Sequence, residues 1–160
     1  MKKIIYSILG LVIIVIIIVI FNWQLEQTVL DVKEMSFAVD DQSLTIFGEP
    51  VYGDLNHDGD DNDAALWLVS DSAGSGTFYY AALVMNTRIY NGKTFEPTNV
   101  LFFGDRIAPQ TLEIHNGQAV YNFAERRPSE PMTTSPSIGK SVWIDFDAKS
   151  NKITVDRHLE

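Results

Sequence analysis

The pattern of apolar and polar positions changes sharply near residue 22. Residues 4–21, IIYSILGLVIIVIIIVIF, carry no charge. As a helix rising about 1.5 Å per residue, this run would span about 27 Å, close to the hydrocarbon thickness of a bilayer. A cleaved signal peptide has a shorter apolar run, of about 7–15 residues, and a small-x-small cleavage site, whereas residues 22–25 read NWQL. The pattern predicts an uncleaved transmembrane anchor helix over residues 4–21.

Charges on the two sides of this run predict its orientation. Two lysines lie within residues 1–3, whereas Glu26 and Asp31 follow the run, with only Lys33 to balance them. The positive-inside rule makes residues 1–3 a cytoplasmic tip and puts everything after the anchor outside the cytoplasm. We therefore expect a single-pass protein of the cytoplasmic membrane with a periplasmic or extracellular domain.

Beyond the anchor, the pattern becomes that of short β-strands. Residues 22–35 are loosely helical and are predicted to form a juxtamembrane stalk. From Ser36 onward, β-branched and aromatic runs alternate with Gly, Pro, Asn and Asp, and no helical period is convincing. The predicted strands cover residues 36–40, 43–47, 64–69, 77–85, 100–103, 111–115, 118–123, 140–146 and 152–156. Residues 36–160 are thus predicted to be an all-β domain, an antiparallel meander forming a single twisted sheet or a small sandwich or barrel.

Two segments between the strands have distinct turn chemistry. Asn116-Gly117 is the strongest hairpin signal, because both residues tolerate positive φ. Residues 126–137, RRPSEPMTTSPS, contain three prolines, which remove backbone donors. This second segment is predicted to cross the sheet without joining it.

Charge narrows the possible partners. The chain of 160 residues has a formal charge of −9, and ten basic and 21 acidic residues follow the anchor, a charge of −11 for that part. Such a surface repels nucleic acid and anionic lipid, so we expect no nucleic-acid partner.

The chain has no cysteine and three scattered histidines, which does not indicate a zinc site.

The most specific candidate chemistry lies in the acidic loop, residues 54–63, DLNHDGDDND. Calcium loops place hard oxygen ligands at alternate positions around a glycine that turns the chain. The pattern D-x-N-x-D-G fits this arrangement, but the twelfth position is Ala65 rather than glutamate and no helix flanks the loop, so an EF-hand is rejected. The candidate ligands are Asp54, Asn56, Asp58, Asp60, Asn62 and Asp63. Ca²⁺ is the predicted cofactor, and the alternative is a solvated turn in which Asp and Asn cap their own backbone.

The loop resembles the calcium loops of integrin-type FG-GAP repeats and their bacterial relatives, in which D-x-[DN]-x-D-G-x-x-D leads directly into a strand. In those repeats the closing aspartate stands three residues after the glycine. Here Asn62 occupies that position and Asp63 follows. Either Asn62 closes the ligand shell as a neutral ligand, or a bulge brings Asp63 into it.

The chain as a whole resembles a widespread group of bacterial exported proteins, many of them lipoproteins or membrane-anchored. The matching stretches are FAVDDQSLTIFG, GDLNHDGDDNDAALWLV, GSGTFYYAALVMN, NVLFFGDRIAPQTLEIHNGQAVYNFAERRP and EPMTTSPSIGKS, which lie within residues 37–145. The resemblance implies a bacterial envelope protein with an all-β domain and implies no particular activity. The extra acidic residue in the loop and an anchor without a lipid-bearing cysteine depart from the group.

Three arginines are a second candidate site. Arg106 follows a predicted strand, and Arg126 and Arg127 begin the proline-rich segment. One interpretation is that the arginines pair with nearby carboxylates. The alternative is that they form a patch for an anionic ligand, such as a peptide carboxylate or a sugar acid. Tyr79, Tyr80 or Trp143 would line this patch.

These features predict a non-enzymatic binding or accessory module for an envelope protein or a small ligand. Two alternatives stay open: an envelope hydrolase that uses carboxylates of the acidic loop, and a small subunit of a membrane complex that associates through its anchor helix.

Overall fold

The computed structural model describes residues 13–16, 32–72, 76–89 and 92–156. The chain divides into two compact units, Met1–Leu30 and Asp31–Glu160. In the first unit, the described residues 13–16 are helical, and their side chains are about half exposed. The rest of the predicted anchor, residues 4–21, and most of the predicted stalk lie outside the described residues. Among the residues that are described, no helix has the length and apolar character needed to span a membrane.

The described part of the second unit consists almost entirely of β-strands. A 3₁₀ turn at Val32–Glu34 precedes them. The strands are β1 (Phe37–Val39), β2 (Gln42–Gly53), β3 (Asp63–Ser72), β4 (Gly76–Ile89), β5 (Gly92–Pro97), β6 (Leu101–Asp105), β7 (Ala108–His115), β8 (Gln118–Glu125), β9 (Ile138–Asp147) and β10 (Lys152–Val155). The prediction of an all-β domain is therefore confirmed.

The strands form two antiparallel sheets. The six-stranded sheet has the order β1-β2-β3-β4-β5, and β6 pairs with the same strand β4 that β5 pairs with. The four-stranded sheet has the order β10-β9-β8-β7. Strands adjacent in the chain are thus mostly adjacent in a sheet, as the predicted meander requires. The single-sheet alternative is not observed.

Strands β2 and β5 differ most from the prediction. Strand β2 was expected to end at residue 47, where glycine and proline follow, but it continues to Gly53. The pairing with β3 shifts between Phe47 and Val51, and Gly48 has φ of 75° there. A bulge with a left-handed glycine accommodates residues that a regular strand excludes. Strand β5, GKTFEP, has a weak strand pattern and forms because the long strand β4 offers an edge to pair with.

One core lies between the two sheets, and Trp67 of β3 is at its centre. The Trp67 ring makes edge-to-face contacts with Tyr79, Phe103, Tyr121 and Phe123 at centroid distances of 4.9–6.4 Å. Aromatic pairs in this arrangement add to the free energy gained from burial. Residues of the four-stranded sheet, including Tyr121, belong to the same buried cluster as Trp67.

Tyr121 also connects the two sheets through hydrogen bonds. Its hydroxyl lies within hydrogen-bonding distance of the carbonyl oxygens of Leu66 on β3 and Ala82 on β4, at 3.1 and 3.2 Å. Burial raises the pKa of this phenol, so it stays protonated and acts as a donor. The Tyr121 hydroxyl of β8 therefore fixes the position of the four-stranded sheet on the six-stranded sheet.

The proline-rich segment lies outside the strands, as predicted. It connects β8 to β9, and its ends are held together by the Ser137 N–H, which donates to the Glu125 carbonyl at 3.0 Å. The Arg126 Nε–H donates to the Thr134 carbonyl within the segment. These bonds hold an irregular chain in place where a ladder cannot form.

Candidate functional site

The acidic loop is the connection of the β2–β3 hairpin. Gly53 pairs with Asp63 at its base, and β3 begins at that aspartate. The turn at the tip is tight, since Gly59 has φ of 89° and His57 has φ of 61°. The sequence-based expectation that the loop leads directly into a strand is confirmed.

Backbone N–H groups orient the side chains at the tip of the loop. The two carboxylate oxygens of Asp54 each accept a hydrogen bond of 3.0 Å, one from the Asp58 N–H and one from the Gly59 N–H. The Asn56 side-chain oxygen also accepts from the Asp58 N–H, at 2.9 Å. Asp58 accepts from the Asp60 N–H at 2.9 Å. An oxygen that accepts one bond keeps a second lone pair, so these groups retain the capacity to bind a cation.

Asp63 has a different role from the other carboxylates. It is fully buried, and its Oδ2 accepts from the Leu55 and Asn56 N–H groups at 2.9 and 3.0 Å. Its Oδ1 accepts from the Asn86 N–H at 2.8 Å. One carboxylate therefore links the start of the loop to β4. This arrangement makes Asp63 a structural anchor of the loop, whereas the sequence pattern placed it among the candidate metal ligands.

Burial shifts the ionisation of this anchor. Desolvation raises the pKa of the Asp63 carboxyl, the three N–H donors offset part of the rise, and the negative charge of Asp58 adds to it. Because the folded-state pKa lies above that of the unfolded chain, ionising Asp63 costs folding free energy. The free energy of unfolding therefore falls as the pH rises from the pKa of Asp63 in the unfolded chain through its raised pKa in the folded chain. A cation beside Asp58 would reduce this cost.

Two amide side chains behind the loop have buried polar atoms without a partner. The Asn62 Oδ1 and both polar side-chain atoms of Asn86 are inaccessible and make no hydrogen bond within the described structure. The two residues lie on either side of the Asp63 contact, since Asn62 precedes Asp63 and the Asn86 N–H donates to the Asp63 carboxylate. Unpaired buried polar atoms are rare, because each costs about 1–3 kcal/mol. An ion or a water molecule beside either amide would supply its missing partners.

The structure brings the predicted ligands together only in part. Asp54, Asn56 and Asp58 share hydrogen bonds at the tip, and the Asn62 N–H donates to the Asp60 carbonyl at 2.9 Å. Within the described ranges, no three acidic or histidine side chains are close enough together to hold a metal ion. Calcium loops also use amide and carbonyl oxygens, which Asn56, Asn62 and the Asp60 carbonyl would provide.

A cleft of about 520 Å³ is lined by both the acidic loop and the β7–β8 hairpin. The lining residues are Tyr52, Gly53, Asp54, His57, Asp61, Ile114, Asn116 and Gly117. Asn116 and Gly117 have φ of 51° and 80°, which confirms the predicted hairpin turn. His57 lies so close to Gly117 that an added Cβ would be 2.1 Å from the imidazole Cε1. The loop and the hairpin therefore meet at this glycine.

This contact predicts that Gly117→Ala displaces the His57 side chain. The methyl group would collide with His57, and alanine at φ of 80° adds strain of about 1–2 kcal/mol. We expect a loss of about 1–3 kcal/mol in the free energy of unfolding, measured by urea titration. Gly48→Ala is the matched control, because Gly48 has φ of 75° and nothing lies within 4 Å of its Cβ position, so it should lose only the backbone strain of about 1–2 kcal/mol. Equal effects of the two substitutions would contradict the contact.

The three arginines of the second candidate site are engaged with the protein itself. Arg106 lies 3.7 Å from the Asp105 carboxylate. The Arg126 Nη1 donates to the Arg106 carbonyl at 3.0 Å, and Arg127 pairs with Glu130 at 3.0 Å. Arg106 and Arg126 are thus neighbours, whereas Arg127 turns toward its own segment. The contacts of Arg106 and Arg127 favour the ion-pairing interpretation, whereas Arg126 donates to backbone carbonyl groups, and the anionic-ligand patch stays a prediction.

The aromatic residues proposed to line that patch do not share one exposed surface. Tyr80 is buried, and Tyr79 packs against the core. Trp143 is partly exposed on the four-stranded sheet.

Sequence reasoning missed Asn86, whose only signal was a polar residue that ends the apolar run YYAALVM.

Comparison with known proteins adds no assignment. No family model matches the chain, and the searches of curated proteins and of solved structures give no significant match.

Proposed function

We propose that this protein is a single-pass bacterial envelope protein whose β-domain acts outside the cytoplasm as a non-enzymatic binding or accessory module. The observation that carries the membrane part is the uncharged run over residues 4–21, with lysines before it and acidic residues after it. The sequence resemblance to bacterial exported proteins supports the same location. The anchor, the stalk and the orientation belong to this proposal.

The acidic loop would bind Ca²⁺ as a structural ion. Oriented carboxylates at Asp54 and Asp58 and the unpartnered Asn62 oxygen support this role. The ion would neutralise like charges that otherwise repel, and would fix the entry into β3. Asp54 and His57 also line the cleft beside the β7–β8 hairpin, so an ion in the loop would stabilise one wall of that cleft.

A binding role is better supported than the hydrolase alternative. Acid–base catalysis needs two carboxyl groups in unlike environments, one of them apolar. Asp63 is the loop carboxyl in the buried environment, but both of its oxygens already accept backbone N–H groups. Asp58→Ala separates the two cases, because it would abolish turnover in a hydrolase and would mainly lower stability in a binding module.

Membrane attachment is tested in bacterial cells that express the full chain. We expect the protein in the membrane fraction after alkaline carbonate extraction, with the β-domain digested by protease added to spheroplasts. A variant with Ile13→Lys and Ile16→Lys should lose stable insertion, because each charge at the centre of a spanning helix costs about 2.5–3.5 kcal/mol. A mature chain found free of the membrane with its N-terminal run removed would contradict the proposal.

A further inference from the structure

The outer face of the four-stranded sheet carries polar side chains around one tryptophan. Side chains alternate between the two faces of a strand, and Ile144 points into the core, so Trp143 points outward. The register places Glu113 beside Val120 and Val120 beside Trp143 on three adjacent strands. We call six residues of this face the outer platform: Thr111, Glu113, His115, Asn122, Ser141 and Trp143.

A continuous chain of hydrogen bonds fixes the polar members of the outer platform. Ser141 donates to the Asn122 side-chain oxygen, and the Asn122 amide donates to the Thr111 hydroxyl at 2.8 Å. Thr111 in turn donates to Glu113 at 2.9 Å, and Glu113 lies 2.7 Å from the His115 Nε2. The side chains are held by one another across three strands, so a ligand would not have to order them. Such preorganisation lowers the entropic cost of binding.

The tryptophan provides an apolar surface within this polar frame. Its ring centroid lies 6.1 Å from that of His115. Val120, which lies between Glu113 and Trp143 in the register, is only 4% exposed although it is on the outer face. A rigid aromatic side chain supplies contact area at a low cost in conformational entropy. The platform thus combines one aromatic surface with hydroxyl, amide and carboxylate groups.

The size of the outer platform limits the ligand. Three adjacent strands are about 10 Å wide, and five residues along a strand measure about 14 Å. This area accommodates two or three sugar rings of an extended chain. A small ion or a single amino acid would cover only part of it.

The charges on the platform restrict the ligand further. The part of the chain beyond residue 21 carries a formal charge of −11, which disfavours an anionic ligand. Glu113 is held ionised, because hydrogen bonds from His115 and Thr111 lower the pKa of its carboxyl. That carboxylate is already paired within the platform, and the Asp145 and Asp156 carboxylates beside it each accept a hydrogen bond from the Gln118 amide. Sugar hydroxyl groups suit this set, since they both donate and accept hydrogen bonds.

We propose that the outer platform binds a neutral, extended oligosaccharide, with Trp143 against the apolar face of one ring and Asn122 and Glu113 at its hydroxyl groups. The proposal names a ligand class for the binding role proposed above and lies on a different surface from the acidic loop. It does not require an ion in that loop.

The test is calorimetric titration of the full chain, in detergent micelles, with the hexamer of β-1,4-linked N-acetylglucosamine. We expect saturable binding by the wild type and at least a tenfold weaker affinity for Trp143→Ala. Trp143→Phe should keep part of the affinity, and Asn122→Ala should weaken binding with Trp143 intact. Phe102→Ala is the matched control, because Phe102 is 58% exposed on strand β6 of the other sheet, and its loss should leave the affinity unchanged.

Three results would overturn the proposal. The first is no binding of the hexamer at millimolar concentration by a protein with an unchanged thermal midpoint. The second is equal affinity in the Trp143→Ala and Phe102→Ala proteins. The third is Trp143-dependent binding of polylysine but not of the hexamer, which would assign the platform to a basic protein. Repeating the titration with a calcium chelator separates this proposal from that of the loop, since hexamer binding should persist.

Discussion

Asp63→Ala is expected to lower the free energy of unfolding by at least about 3 kcal/mol. The substitution removes the acceptor of the Leu55, Asn56 and Asn86 N–H groups in a fully buried position. A buried donor left without a partner costs about 1–3 kcal/mol, and three are affected here. The measurement is urea unfolding of the full chain at constant detergent and calcium concentrations.

Two further variants show whether this loss comes from the hydrogen bonds. Asp61→Ala removes an exposed carboxylate from the same loop and should change the free energy of unfolding by less than about 0.5 kcal/mol. Asp63→Asn keeps one acceptor oxygen but turns an NH₂ group toward backbone donors, so its loss should be intermediate. If Asp63→Ala were as stable as Asp61→Ala, Asp63 would not anchor the loop.

Calcium is expected to raise the thermal midpoint of the wild-type chain, and a chelator should reverse the rise. Weak calcium sites of extracellular modules have dissociation constants of about 0.1–1 mM. At about 10 mM calcium, such a site stabilises the folded state by about 1.4–2.7 kcal/mol. For a domain of this size, that free energy corresponds to a rise of about 4–10 °C in the thermal midpoint. The measurement is a calorimetric melt with added calcium and then with excess chelator.

The calcium effect should depend on charge at one position of the loop. Asp58→Asn keeps an oxygen that accepts from the Asp60 N–H but removes the negative charge, and it should abolish most of the rise. Asp147→Asn is the matched control, because Asp147 accepts a comparable bond from the Lys149 N–H in the exposed β9–β10 turn. It should leave the rise intact. An equal calcium response in the wild-type and Asp58→Asn proteins would contradict binding at the loop.

The parts of the fold that the sequence predicts are those that local chemistry determines. Asn116-Gly117 forms the expected turn because few other residues adopt positive φ at both positions. The acidic loop ends where β3 begins, since the apolar pattern starts there. The proline-rich segment stays outside the strands because its three prolines remove backbone donors that a ladder would need.

The parts that the sequence does not predict depend on contacts between distant residues. Asp63 reads as a metal ligand within its own loop, but the N–H that fixes its Oδ1 belongs to Asn86 on β4. The split into two sheets likewise depends on pairing and on Tyr121, whose hydroxyl reaches β3 and β4. Alternation along VWIDF predicts one wet face for β9. It does not show that side chains of β7 and β8 join Ser141 in one network.

The oriented oxygens of the acidic loop are proposed to hold a calcium ion. Crystals of the chain grown with and without calcium test it most directly at residues 54–63. If the loop binds the ion, added density appears with calcium, about 2.3–2.6 Å from oxygens of Asp54, Asn56 and Asp58. An ordered loop of unchanged conformation, without such density at saturating calcium, would contradict it.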